Sequence, residues 1–288
     1  MSQIRFLVAP GRRLLMLLLT YIVGMIVTAF ASSLLLRMGG EGRALPMMRI
    51  ATVVQDIFLF VLPALITALI VTRQSVRLLA VAKLPSLQMS LVAVVIMLVS
   101  SPAMSWIIEL NNNIHLPESM AAFEASMRAM EDSASAAIES LMGPHTIGNL
   151  IMNILIIGLM AGFSEELFFR GGLQRLLSTT KMSNHLAIWL AAFIFSALHM
   201  QFFGFVPRML LGAFFGYMLL WSGSLWLPIL LHALNNSMYV VLKYATGSGE
   251  PEIAGGDEWY TILLSALLTA IGLYLIYNMY KNKGKTKE

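Results

Sequence analysis

Gly162-Phe163-Ser164-Glu165-Glu166-Leu167-Phe168-Phe169-Arg170-Gly171 sets two acids and a base inside a hydrophobic run that extends over about 147–171. A carboxylate in the hydrocarbon of a bilayer costs roughly 3 kcal/mol on insertion scales, so ionisable groups there mark function and need partners. Reading this stretch as a membrane helix decides the fold. Neighbours on a helix stand about 100° apart, so Glu165 and Glu166 are not expected to share a partner. Glu166 and Arg170 stand four residues apart in the favourable acid-before-base order and are expected to pair. Glu165 is then left free to meet a side chain on another helix.

The surrounding composition agrees. The 288 residues are 58% hydrophobic and 12% charged, with a mean hydropathy of +0.78. Soluble domains carry about 25% charged residues, so the expected class is an all-α, polytopic transmembrane bundle. Apolar runs of spanning length fall at about 14–36, 50–71, 88–109, 147–171, 185–202, 204–222, 225–244 and 259–280, about eight transmembrane helices. Cysteine is absent, which excludes disulfides and thiolate chemistry. The bases behind the pI of about 9.4 lie in short loops and a Lys-rich tail. That pattern orients a membrane protein and does not build a nucleic-acid groove.

With both termini cytoplasmic, the inner segments hold Arg5, Arg12, Arg13, Arg73, Arg77, Lys83, Arg170, Arg175, Lys181 and the lysines at 281, 283, 285 and 287. The outer segments hold Arg37, Arg43, Arg49, Arg128 and Lys243, and the balance favours this topology. The N-terminal run from Leu14 to Leu36 is read as a retained helix, although Ala29-Phe30-Ala31 resembles a signal-peptide cleavage site. The long connection 110–146 is acidic and is read as extracytoplasmic. Met120, Phe123, Met127, Met130, Ile138 and Leu141 recur in it at helical spacing after Pro117, which predicts an amphipathic helix on the membrane surface or a lid. Residues 246–258 read as a Gly-rich acidic outer turn.

Two further polar elements stand in apolar helices. Phe195-Ser-Ala-Leu-His199 follows the glutamate segment across a turn at Thr179–Asn184. If the two segments form an antiparallel hairpin, Glu165 and His199 are equidistant from residue 182 and lie level, roughly 20–25 Å from the tip. His232-Ala-Leu-Asn-Asn236 places an imidazole and an amide on one helical face. A glutamate with a facing histidine can deprotonate and orient water, and a His/Asn donor pair suits a developing oxyanion. The same pair would equally serve as a hydrogen bond between helices. No serine nucleophile is set beside a histidine, and the His-Glu-x-x-His metalloprotease helix is missing. A proton-coupled carrier and a non-catalytic membrane scaffold are the rival classes. The missing inverted repeat speaks against the carrier.

Glu165-Glu166-x-x-x-Arg170, then Phe195-x-x-x-His199, then His232-x-x-x-Asn236, on successive hydrophobic helices, resembles the CPBP intramembrane proteases. That family unites the eukaryotic CAAX prenyl endopeptidase with bacterial bacteriocin-processing and immunity proteins. The resemblance covers about 150–240 and implies an eight-helix endopeptidase with a conical cavity open to the cytosolic side. It implies Glu165 as the base that activates water, His199 as its assistant, His232 and Asn236 as the oxyanion pair, and Glu166 and Arg170 in support. It divides the chain into N-terminal helices with the amphipathic loop (1–146), a catalytic helical core (147–244), and a last helix with a basic tail (245–288). The expected partners are a membrane-associated peptide or protein substrate and the bilayer of a bacterial cytoplasmic membrane. No cofactor is expected. The family's metalloprotease label keeps zinc open as an alternative, as it does a scaffold or immunity role without catalysis.

Overall fold

The computed structural model describes residues 4–40, 42–247 and 258–285; most of the acidic turn expected over 246–258, together with Lys287, lies outside them. Regular structure among the described residues is helical apart from one isolated antiparallel bridge between Phe6 and Thr72. The elements are α1 (Pro10–Arg37), α2 (Ala44–Val71), α3 (Ser75–Leu78), α4 (Leu87–Val99), α5 (Ser101–Asn112), α6 (Ala121–Met142), α7 (Ile147–Leu177), α8 (Asn184–Ala197), α9 (Phe205–Ser222), α10 (Trp226–Thr246) and α11 (Trp259–Lys285). The all-α class and the multi-pass membrane character both stand.

The expected number of spans does not. Among the described residues five helices (α1, α2, α7, α9 and α11) are long and apolar enough to cross a bilayer, or six if the bent pair α4–α5 counts as one. The run at 88–109 is interrupted because Pro102 cannot donate to the Leu98 carbonyl. Ser101 Oγ takes that carbonyl instead at 2.7 Å, and the two halves meet at 47°. α8 has 14 residues, about 21 Å of rise against a hydrocarbon core of about 30 Å. α10 is long enough at 21 residues, but His232, Asn235, Asn236 and Lys243 lower its hydropathy. Of these, His232 and Asn236 are directed at α7 and Lys243 at Glu139 of α6.

What draws α10 against α7 is a seam of small residues. Gly158 and Gly162 on α7 face Ser237 and Ala233 on α10, both pairs at i and i+4. Small residues at this spacing let two membrane helices approach closely. A Cβ on Gly162 would stand 2.7 Å from the Ala233 nitrogen and 2.9 Å from its Cα, which are backbone atoms unable to yield. Gly162→Leu is therefore expected to destabilise by about 1–3 kcal/mol or more through overpacking, and to disable the site described below. Gly148→Leu on the same helix, where nothing lies within 4 Å, is the control, and thermal unfolding in detergent compares the two. Equal melting temperatures for the two variants would mean the seam does not hold the helices.

A second seam joins α7 to α9. Arg170 and Gln174, one turn apart on α7, donate to the carbonyls of Gly212 and Gly216 at 2.9 and 3.1 Å. Both glycines leave the space these long side chains occupy: a Cβ would meet Arg170 Nη2 at 2.9 Å and Gln174 Oε1 at 2.7 Å. Between α1, α2 and α7 lies an aromatic core of Tyr21, Phe60, Phe168 and Phe169, with ring centroids 5.0–6.4 Å apart. The helices widen to π geometry over Asp56–Val61 in α2 and over Ile154–Met160 and Leu167–Gln174 in α7. Such wide turns are rare and collect at functional sites.

The amphipathic helix after Pro117 is present as α6, preceded by a single 3₁₀ turn at Glu118–Met120. Phe123 and Met130 on it and Met120 in the turn before it are exposed, whereas Leu141 is buried. Its N-terminal end is fixed by Glu124, which accepts from the Leu116 N–H at 2.7 Å and from Arg128 at 2.8 Å. Those donors hold the Glu124 carboxyl down at about 2. Ala29-Phe30-Ala31 lies within the uninterrupted helix α1.

Candidate functional site

The site forms where α7 and α10 cross. Glu166 is fully buried, and its Oε1 accepts from Arg170 Nη1 at 2.6 Å and from His232 Nδ1 at 2.8 Å. The ion pair expected from the i, i+4 spacing is thus present, with both partners shut away from solvent. A carboxylate engaged by a guanidinium only accepts, so His232 Nδ1 carries the hydrogen of that bond. His232 Nε2 is thereby turned toward Glu165, whose Oε2 lies 3.8 Å away. The two acids do share one partner, contrary to the expectation from the 100° step. An imidazole has nitrogens on two edges, and His232 lies between the carboxylates and uses both. The ring is fixed from behind by Phe215, stacked at 5.1 Å and 23°, and by the edge of Phe195 at 6.0 Å.

His199 reaches the site from the end of α8. Phe195 packs edge-on to Phe169 at 5.0 Å, and these two residues, like Glu165 and His199, are equidistant from residue 182. The hairpin register is the one read from the sequence. His199 Nδ1 donates to the Phe195 carbonyl at 2.8 Å, which leaves Nε2 unprotonated in the neutral ring. Glu165 lies within coulombic reach of His199, Asp56, Arg170 and Arg208, and His232 within reach of His199. Asn236 is one turn beyond His232, and its Nδ2 donates one hydrogen to the Ile157 carbonyl at 3.1 Å. The second hydrogen of that amide is not used by this bond. Glu165, His199 and Asn236 are partly exposed, whereas Glu166, Arg170 and His232 lie behind them.

Three groups at the site had no motif to announce them. Asp56, in the π turn of α2, is 3% exposed, and its Oδ2 has no hydrogen-bond partner. It lies beside Ser164 and within the field of Glu165. In sequence it is a single acid at the centre of an apolar run, the same signal that marked Glu165, and the intramembrane-acid rule could have found it. Asn111 and Glu131 hold the connector that carries His199. Asn111 donates to the Phe202 carbonyl at 3.2 Å and accepts from the Val206 N–H at 2.9 Å, while Glu131 of α6 accepts from the Phe203 N–H at 3.0 Å. Arg128 covers the Phe203 ring at 3.9 Å. The connector passes through Met200 at φ 54°, a left-handed conformation uncommon for a side chain of this size. The helix read as a surface element or lid is therefore fastened to the histidine connector.

Residues 147–238, which hold every one of these groups except Asp56, Asn111, Arg128 and Glu131, match the family described as type II CAAX prenyl endopeptidase, Rce1-like. That segment is an Rce1-like family domain. It falls within the 147–244 core read from the sequence. Uncharacterized protein YpbD of Bacillus subtilis (strain 168) is 29% identical over 93 residues, which are 31% of this chain and 44% of that protein. The chain thus spans under half the length of this relative. No solved structure matches significantly. The match makes this a protease-related domain in a multi-pass membrane protein.

Zinc was the alternative cofactor. Among the described residues no three His, Cys, Asp or Glu side chains are grouped so as to hold a metal ion. His232 Nδ1 and the engaged oxygen of Glu166 are committed to each other and to Arg170. The described residues of this cluster offer no ligand set that fits the ion.

Proposed function

We propose that the protein is an intramembrane endopeptidase that hydrolyses a peptide bond of a membrane-associated substrate with water activated by Glu165. The observation that carries this reading is the division of labour between adjacent acids. Glu166 is fully buried, with its Oε1 taken by both Arg170 and His232 and its Oε2 shut away from water, while Glu165 has no bond as short and remains partly exposed. A base must hold its lone pairs open to water, and of the two adjacent acids Glu165 is the one that is partly exposed. His199 Nε2, unprotonated because Nδ1 is on the Phe195 carbonyl, is the second acceptor able to orient that water and later return the proton to the leaving amine.

The oxyanion donors in this reading are His232 Nε2 and the spare N–H of Asn236. His232 donates from Nε2 only when doubly protonated, and the carboxylates of Glu165 and Glu166 on its two edges are the counter-charge of that form. Such donors, preorganised in a dry site, are each worth about 3–4 kcal/mol of transition-state stabilisation. Nothing in the chain calls for a prenylated substrate, and the proposed class is simply a peptide presented at the bilayer of a bacterial cytoplasmic membrane. The positive ends of the chain support cytoplasmic termini.

The test is cleavage of a fluorogenic peptide by the purified protein in detergent with a strong zinc chelator present. Activity is expected to persist with the chelator and to fall by about 10²-fold or more in His199→Ala. Unchanged turnover in that variant, or loss of all activity with chelator and recovery on adding zinc, would reject the metal-free Glu/His mechanism.

A further inference from the structure

The opposite end of the molecule from α6 holds a second built site. A cavity of about 490 Å³ opens there, lined by Arg77, Lys83, Arg175, Gln174, Ser178 and Tyr280 among others, and by none of Glu165, His199, His232 or Asn236. Arg77 and Lys83 are exposed at its rim, and Arg175 is half-buried in its wall with Nε unpartnered. Among the described residues no ion pair engages any of the three. No acid occurs between Asp56 and Glu109 or between Glu166 and Glu250, so the segments that supply Arg77, Lys83 and Arg175 carry none. Three cations with a hydroxyl, a phenol and an amide thus surround one space, and no carboxylate of the described residues lines it.

The rim is rigid. Its backbone carbonyls are tied to the rest of the fold: Arg77 O accepts from Arg175 Nη2 at 3.1 Å, Ala80 O from the Leu225 N–H at 2.9 Å, and Val81 O from Trp226 Nε1 at 3.0 Å. Lys83 O accepts from Ser224 Oγ. Ala80 takes a left-handed conformation, φ 57°, to make this turn. The loop therefore presents its cationic side chains from a fixed frame. Fixed cations in a concave site between membrane helices match the chemistry of phosphate.

We propose that this cavity binds a phosphate group, carried by an anionic phospholipid headgroup or free in solution. The proposal is independent of the hydrolytic reading, because the two sites share no residue. Purified full-length protein is placed in nanodiscs of phosphatidylcholine with or without phosphatidylglycerol, and thermal unfolding and lipid retention are measured. In a parallel arm inorganic phosphate is added to the phosphatidylcholine sample. Phosphatidylglycerol is expected to raise the melting temperature, and Arg77→Gln with Lys83→Gln to remove the shift and weaken retention by about tenfold or more. Both substitutions leave the anchored carbonyls in place, and Arg77→Lys with Lys83→Arg is expected to keep the effect. A matching shift with inorganic phosphate assigns the site to a soluble phosphate, and its absence there assigns it to lipid. The proposal is overturned if the double Gln variant keeps the full shift, if neither source produces one, or if Lys281→Gln on the tail alone removes it.

Discussion

Glu165→Gln is expected to reduce peptide turnover by about 10²–10⁴-fold, the range that a positioned general base contributes, while the protein folds and melts as before. The change keeps the volume and planarity of the side chain and removes its basicity. Little stability should be lost, because the nearest charged partner of Glu165 is His232 Nε2 at 3.8 Å, beyond hydrogen-bond length. Its value lies in position. It stands in the fields of His199, Arg170, Arg208 and Asp56 at once, at the partly exposed face of the cluster. The measurement is kcat on the fluorogenic peptide together with the melting temperature of the same preparation. A variant that cleaves at the parental rate removes Glu165 from the chemistry. A variant that loses cleavage only because it no longer folds shows itself in the melt. A carrier using the same acid as a proton relay would show no cleavage in the parent either, which separates the two classes.

How far the sequence carried the site can be judged residue by residue. Glu166 and Arg170 were legible because an i, i+4 pair is a local property of any helix, and the pairing survives where α7 widens immediately afterwards. The level of Glu165 with His199 was legible because an antiparallel hairpin has only one free parameter, its turn, and Phe169 on Phe195 confirms the register. The approach of His232 to both acids was not. It depends on how α10 lies across α7, which is set by Gly158 and Gly162 against Ser237 and Ala233, and glycine seams do not declare their partners in one dimension. Asp56 and Asn111 sit far from the motifs in sequence, and only packing brings them near. The overcount of spans has a similar origin. Hydropathy counts apolar residues without knowing which face a helix turns to protein, and it does not register a break such as the one Pro102 imposes.

Glu166→Ala is expected to destabilise the protein by about 3–5 kcal/mol, the cost of stranding a buried charge. Arg170 is fully buried, and Glu166 is the acid it bonds. Its other contacts include the Gly212 carbonyl at 2.9 Å and the faces of Phe195 and Phe215 at 4.5 and 5.5 Å, none of which carries negative charge, and Glu165 acts on it only through space. Removing both charges behaves differently, since a buried pair replaced by apolar residues of similar volume is often neutral or stabilising. Glu166→Leu with Arg170→Met is therefore expected to regain most of the melting temperature lost in the single variant. Turnover is not expected to return with it. In the double variant His232 Nδ1 has lost the carboxylate that fixes its ring at 2.8 Å, so Nε2 is no longer held in the orientation that the proposed donor role requires. Stability and activity thus separate in one pair of variants, read by thermal unfolding and by kcat. If the single variant melts like the parent, Arg170 has a counter-charge other than Glu166. If the stable double variant still cleaves, the orientation of His232 by Glu166 is not what the chemistry uses, and the donor role of His232 falls with it.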